Sequence, residues 1–231
     1  MENLKILYTD KHITVCVKPP LLLSQQDAKG SPDMLKVLFE QTGIEHKPVH
    51  RLDFGVGGVM VYAKTDVAAS KLSAAIQDKT FQKEYLAVTC GRPTENEGVY
   101  KDLLFKDSSK NKSFVVDKMR KGVKEASLEY RLLDTKEHEK LGVLSLVWVK
   151  LHTGRTHQIR VQFASRKTAL YGDGKYGSRI SDKRTALWSY ALTFLHPVSR
   201  KPLSFCEIPD NCFPWELFDI STAENTTVLK G

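Results

Sequence analysis

The sequence predicts an α+β fold with a mainly antiparallel mixed sheet and flanking helices. Three observations point there. β-rich segments follow one another in runs, broken by only a few helical stretches. Cap signals mark the helical stretches, and Val67–Lys79 adds helical apolar spacing. The 231 residues contain no internal repeat, low-complexity tract or Pro/Gly/Ser-rich linker, so one continuous domain over residues 1–231 is expected. Hydrophobic residues make up 41% and charged residues 27% of the chain, which excludes a disordered or fibrous protein.

The elements are read in order. Two short strands open the chain at Leu4–Tyr8 and Ile13–Val17, separated by the turn residues Asp10-Lys11. Lys18-Pro19-Pro20 ends the second. Ser31 is the expected N-cap of a first helix with Pro32 in its first turn, and Gly43 is placed to close it in the left-handed conformation. Gly58–Lys64 is β-rich. Asp66 is the expected cap of a second helix over Val67–Lys79, whose Ala68, Leu72, Ala75 and Ile76 follow helical spacing. Strands are then expected at Phe81–Cys90, Tyr100–Phe105, Ser113–Val116, Ala126–Leu133 and Val143–Leu151. Thr156 can cap a helix running to about Arg166. Strands near Leu187–Phe194 and Leu203–Glu207 complete the set.

Net charge is +8, and it is clustered. Leu151–Lys201 holds ten Lys or Arg, two Asp and no Glu, or +8. Lys101–Lys124 holds eight Lys or Arg and three Asp, or +5, which leaves −5 for the remainder. Clustered cations favour a polyanionic partner, since each neutralised phosphate releases counterions. No run approaches the roughly 20 apolar residues of a membrane span, and the opening Met-Glu-Asn-Leu-Lys lacks the apolar core of a secretory leader. The four cysteines, at 16, 90, 206 and 212, form no Cys-x-x-Cys pair, so a reduced cytoplasmic protein is expected. No metal site is expected: His152 and His157 are five apart, off the spacing of one helical face.

Three segments carry chemistry. In His50-Arg51-Leu52-Asp53-Phe54-Gly55-Val56-Gly57-Gly58, acid-base-capable side chains precede a glycine-rich turn into an apolar strand. A carboxylate there can act as nucleophile or base. On spacing alone, an Asx-turn at Asp53 is the stronger reading. In Phe81–Val88, Tyr85 sits in an alternating strand, where a tyrosine is usually a core or cross-strand residue. Its other use is as an aromatic platform for a base, with a phenol able to move a proton. In Thr153-Gly154-Arg155-Thr156-His157-Gln158-Ile159-Arg160, several donors gather about a helix start, and Arg155 can bind phosphate. That density beside a glycine favours a site over a plain basic face.

Taken together and in order, His50-Arg51-Leu52-Asp53, the Lys83-Glu84-Tyr85 strand, Thr153–Arg160 and Gly172-Asp173-Gly174-Lys175-Tyr176-Gly177 resemble the RluA-type RNA pseudouridine synthase family. The resemblance covers nearly the whole chain, from the strands near residues 6–19 to Leu195-His196-Pro197 and Leu203-Ser204-Phe205. Two departures stand out. Val56-Gly57-Gly58 replaces a Thr-Ser-Gly, and Lys18-Pro19-Pro20-Leu21 replaces a Lys-Pro-x-Gly. The pattern begins within the first ten residues, so no separate N-terminal RNA-binding module is expected.

The resemblance implies the pseudouridine synthase fold with a central catalytic cleft, and conversion of specific uridines in ribosomal or transfer RNA to pseudouridine, without a cofactor. It gives Asp53 the essential role, Tyr85 that of stacking on the target uracil, and Arg160 that of the cation paired with the aspartate. Arg51 would enter the RNA stack where the uridine leaves. His50, Arg155 and His157 are expected to support the site or contact RNA, and Asp173 and Tyr176 to shape the loop beside it. The implied partner is structured RNA and the implied state a monomer, with no membrane and no metal. The 151–201 stretch then forms one wall of the cleft. The 101–124 stretch lies outside every matched motif and would grip RNA away from the flipped base. Two other classes compete: a non-catalytic RNA-binding protein retaining the fold, and a carboxylate-dependent hydrolase of a small nucleoside. The first predicts salt-sensitive RNA binding without turnover, the second consumption of free uridine.

Overall fold

The computed structural model describes residues 3–180 and 182–220. Met1 and Glu2, part of the opening from which the lack of a leader is read, lie outside them, as do residues 221–231 at the other end of the expected domain. Two compact units are present, each made of two chain segments. The first comprises the described residues up to Glu84 with Trp188–Pro209, and the second Tyr85–Leu187 with those from Asp210.

In the first unit, β1 (Ile6–Thr9) pairs antiparallel with β2 (Ile13–Lys18), and β2 with β4 (Gly57–Ala63). The two-residue β3 (Lys47–Pro48) joins β4 antiparallel, an element too short to leave a sequence pattern. β10 (Leu187–Leu195) runs parallel to β4, and β11 (Pro202–Cys206) is antiparallel to β10. Every residue of β4 is buried, which explains why its sequence does not alternate cleanly: both faces are covered. Val59, Val61 and Ala63 pack with Ile13, Val15, Leu192 and Phe194 against Ala68 and Leu72 of α2 (Asp66–Gln77).

Both helix starts in this unit differ from the sequence reading. α1 (Met34–Thr42) is capped by Asp33, whose carboxylate accepts from the amides of Leu35 and Lys36, not by Ser31. Ser31 is occupied by Asp27, which accepts from its amide and hydroxyl. α2 is capped by Thr65, with Asp66 already inside the first turn, where its charge complements the helix dipole. Gly43 closes α1 at φ 69°, as its position predicts.

In the second unit the strand order is β5 (Gln82–Cys90), β9 (Gly142–Leu151), β8 (Val123–His138), β6 (Glu97–Asp107), β7 (Lys112–Val116). β8 and β6 are longer than their sequence signals because charged residues continue the ladder at solvent-facing positions. α3 (Gln158–Ala164) lies on one face of this sheet, where Val161 and Tyr176 pack on Leu104 and Ala126. Thr156 does not cap it. The helix begins after His157, which is left-handed at φ 54° and makes no side-chain cap bond. The Gln158 side chain reaches back to accept from the Thr153 hydroxyl and the Arg155 amide. The mixed sheets with few helices are α+β, and no helix among the described residues is long and apolar enough to cross a membrane.

Candidate active site

The first unit carries the His50–Gly58 segment. Ser24 clamps its centre: the Ser24 hydroxyl donates to the Leu52 carbonyl at 2.8 Å and accepts from the Leu52 amide at 2.9 Å. Immediately beyond, the Val56 amide closes a turn onto the Asp53 carbonyl at 3.0 Å, and the Leu21 amide donates to the Phe54 carbonyl at 2.7 Å. Asp53 is therefore carried on backbone fixed on both sides, and its residue is half-buried. Arg51 and Phe54, flanking it, are exposed. His50 turns inward instead. Its Nε2 accepts from the Val61 amide on β4 at 3.2 Å, and its Nδ1 is shielded from solvent. Burial, reinforced by the Lys83 charge, pushes its pKa well down, so the ring is neutral.

The two departures from the family pattern have structural counterparts here. Leu21, at the position where the pattern has glycine, sits left-handed at φ 65°, a conformation that costs a side chain about 1 kcal/mol or more. At Gly57, the space a side chain would fill is occupied by the Trp188 ring. The missing hydroxyl is thus replaced by indole packing, fixed by a 2.7 Å bond from Trp188 Nε1 to the Glu207 carbonyl.

Lys18, read from sequence as a strand end and the first residue of the altered Lys-Pro-x-Gly pattern, lies within electrostatic reach of Asp53. It is fully buried, and its ammonium donates to the Pro19 and Leu22 carbonyls at 2.9 and 2.6 Å. Burial pushes its pKa down to about 7, against the opposing pull of the Asp53 charge. The unfolded chain then holds more protons from about pH 7 up to the ordinary 10.5, so this group's contribution to stability rises with pH through that window. Urea unfolding of wild type and Lys18→Met at pH 7 and pH 9 is expected to show a rise that the variant lacks, worth up to about 2 kcal/mol. Lys83, pushed to about 8 by burial, has the same sign in both proteins and cancels in the difference. An identical pH response in the two proteins would contradict the assignment.

The second unit, taken by itself, carries Tyr85, buried on β5, and the Thr153–Arg160 segment with the 172–177 loop. Arg160 projects from α3 into a bidentate pair with Asp173: Nε to Oδ2 at 2.7 Å and Nη2 to Oδ1 at 2.8 Å. Both side chains are nearly buried, at 10% and 1% exposed. The Arg160 guanidinium also lies 5.2 Å from the Tyr176 ring centre. The Tyr176 hydroxyl bonds to His157 Nδ1 at 2.9 Å and accepts from the Ser113 amide at 2.8 Å. Burial raises the Tyr176 pKa, while the Ser113 amide and Arg160 oppose the rise. Gln158 braces the loop, donating to the Ser127 carbonyl at 3.0 Å. Arg155 donates through Nε to the Glu125 carbonyl at 2.9 Å. The sequence reading missed the Asp173 partnership, the Gln158 brace and Ser113, because each depends on chain segments that meet only in the fold. Among the described residues, no three His, Cys, Asp or Glu side chains are grouped to hold a metal.

Arg160, Asp173, His157 and Tyr176 thus form one connected polar cluster, and Asp53, Leu52, Ser24 and Lys18 another. The former can fix a cation in place, and the latter can present a carboxylate on a rigid turn.

Comparison with known proteins gives the family. The family described as RNA pseudouridylate synthase matches residues 12–165. A ribosomal large subunit pseudouridine synthase D of Vibrio cholerae is 34% identical over 232 residues, covering 90% of this chain and 68% of that protein. An uncharacterised RNA pseudouridine synthase of Synechocystis is 32% identical, covering 85% of this chain and 62% of that protein, so this chain spans less than two thirds of that relative's length. The structure of human RNA pseudouridylate synthase domain containing 1 has the same fold, with a TM-score of 0.75 at 22% identity, over 92% of this chain and 86% of that one. With a match across two thirds of its length, holding Asp53, Tyr85 and Arg160 in one segment, the chain belongs to the RNA pseudouridylate synthase family.

Proposed function

We propose that this chain isomerises specific uridines in RNA to pseudouridine. The observation that carries the proposal is the carboxylate of Asp53, set on a turn pinned by Ser24 and Leu21 inside the family-matched segment. The reaction breaks the bond from uracil N1 to ribose C1′ and forms a bond from C5 to C1′. The C5 proton is lost and N1 gains one, so bonds and electrons balance without a cofactor. Asp53 attacks or stabilises the electron-poor anomeric carbon, or removes a ribose proton once the base departs; a carboxylate suits each route to an oxocarbenium-like state.

Tyr85 stacks on the uracil and assists loss of the C5 proton. Arg160 is the cation of the site, its guanidinium oriented by the bidentate pair with Asp173. Exposed Arg51 fills the gap left in the RNA stack, where its planar guanidinium offsets part of the few kcal/mol that base flipping costs. Arg155 and His157 contact RNA. His50, Asp173 and Tyr176 act behind them as supports, consistent with their inward bonding. The substrate is structured RNA. Large-subunit ribosomal RNA is the first to try, given the name of the Vibrio relative, and transfer RNA the second. The protein is proposed to act as a monomer in the cytoplasm, where its four free cysteines would stay reduced.

The test uses RNA labelled with tritium at uridine C5. Release of tritium from ribosomal or transfer RNA, with none from free uridine, is the expected result. Uracil release from the free nucleoside, or RNA binding without tritium release from any cellular RNA, would contradict it.

A further inference from the structure

We infer that Lys106, Lys124 and Arg155 form a binding site for a backbone phosphate of the RNA, on the sheet face beside α3. The inference rests on the proposed function for the identity of the polyanion, and on the geometry of the second unit for the site itself. Register places the residues together. On β6 and β8, Leu104 is directly opposite Lys124; on β6 and β7, Lys106 is directly opposite Ser113. Lys106 is two residues from Leu104, so alternation puts Lys106, Lys124 and Ser113 on the same face. α3 covers the part of this face formed by Leu104 and Ala126. Beyond it the face opens, and the 154–156 loop crosses alongside, fixed by the bond from the Ser113 hydroxyl to the Thr156 carbonyl at 2.6 Å.

The result is a cavity of about 160 Å³ lined by Lys106, Lys124, Arg155, Ser113 and Thr156, with Gly122 and Gly154 at its edge. Nothing crowds Gly154, so the loop backbone there stays open to an approaching ligand. Three of the lining side chains are cations and none is an acid. Arg155 commits only Nε, to the Glu125 carbonyl, and its two terminal nitrogens have no partner among the described residues. That leaves a planar fork suited to two phosphate oxygens. Lys106 and Lys124 are exposed and form no ion pair among the described residues.

The nearby carboxylates are otherwise engaged. Asp102 shares the face but is held by both terminal nitrogens of Arg166 at 2.9 and 3.1 Å. Asp107 accepts from the amides of Ser109 and Lys110 in its own loop. Glu125, next to Lys124, projects to the opposite face by alternation. Three cations converging on one concave spot, with their natural counter-charges turned elsewhere, are what a phosphate site requires and what a merely solvated face does not. The site also joins the two basic stretches of the sequence, since Lys106 and Lys124 come from 101–124 and Arg155 from 151–201.

The experiment measures affinity for a labelled RNA hairpin across a salt series, in an Asp53→Asn background so that turnover does not intervene. Lys106→Ala/Lys124→Ala is compared with Lys71→Ala/Lys140→Ala, which removes the same charge from exposed positions elsewhere. The expected result is that the first pair weakens binding about fivefold and makes the salt slope shallower by about one counterion, while the second changes little. Equal effects of the two pairs, or none from the first, would overturn the site. Tritium release is followed in parallel with Asp53 intact. The site variant is expected to raise KM for RNA with kcat preserved, and a fall in kcat alone would count against it. The two proposals fail separately: a wild type that releases no tritium yet shows the pair-specific binding loss sinks the activity and keeps the site.

Discussion

Asp173→Asn is expected to lower the stability of the chain by about 3–5 kcal/mol, because it breaks a bidentate, nearly buried charge pair with the Arg160 guanidinium. The carboxylate is 1% exposed and accepts two charge-assisted bonds, so water cannot replace it. For a chain of this size that loss corresponds to a fall in Tm of roughly 6–15 °C. The counterpart is Arg160→Met/Asp173→Leu, which removes both charges. It is expected to recover most of the stability, since replacing a whole buried pair by apolar groups is often near neutral. Activity is not expected to return with it. Thermal unfolding and tritium release on the same three proteins separate the structural task of the pair from the catalytic task proposed for Arg160. A single variant as stable as wild type would show that the pair is not what holds α3 to the 172–177 loop.

Gly57→Ser, which restores one hydroxyl of the usual family pattern, is expected to damage this chain. A Cβ at residue 57 overlaps the Trp188 ring and approaches Pro20 Cδ to 2.9 Å. Trp188 is 5% exposed and tied by its indole N–H, so it cannot simply swing aside. Overpacking of this kind costs about 1–3 kcal/mol. Gly58→Ala is expected to be worse, at about 4 kcal/mol or more. Residue 58 has φ 118°, and an added methyl meets the Ser189 backbone, which is fixed by parallel pairing with β4. Combining Gly57→Ser with Trp188→Leu makes the cause visible: urea unfolding is expected to show the serine tolerated better in the leucine background than in wild type. Equal costs in both backgrounds would remove Trp188 from the explanation.

The same two positions show what could be read in advance. The glycine-rich turn was visible, but not why both glycines are needed, because Trp188 and Ser189 each arrive from 131 residues downstream of the glycine they meet. The strands were legible wherever β-branched and aromatic residues cluster, as at Ile13–Lys18 and Leu187–Leu195. Helix ends were not, where several capping residues compete. Asp33 outcompetes Ser31 because Ser31 is already bonded to Asp27. The start of α3 was hidden for a different reason: it follows His157, left-handed at φ 54° with no side-chain cap bond, so no capping residue marks it.

For the candidate site, Asp53, Arg160 and Tyr85 were proposed from ordered motifs, not from spacing. His50, Asp173 and Tyr176 were read as supports, but the partners that hold them were not. Lys18 reads as a polar residue ending a strand, and nothing local reveals that its ammonium is fully buried over two carbonyls beside Asp53. Asp173 reads as a loop residue until α3 and the loop meet. The charge clusters were legible as totals only. Their convergence at Lys106, Lys124 and Arg155 needed the register of β6, β7 and β8.

The central claim is that Asp53 carries out the isomerisation of uridine in RNA. The measurement that tests it most directly is tritium release from C5-labelled ribosomal RNA by wild type and Asp53→Asn, with RNA affinity and Tm measured on the same preparations. The account predicts release by wild type and none detectable from the variant, with folding and RNA binding retained in both. Release at equal rates from the two proteins would contradict it.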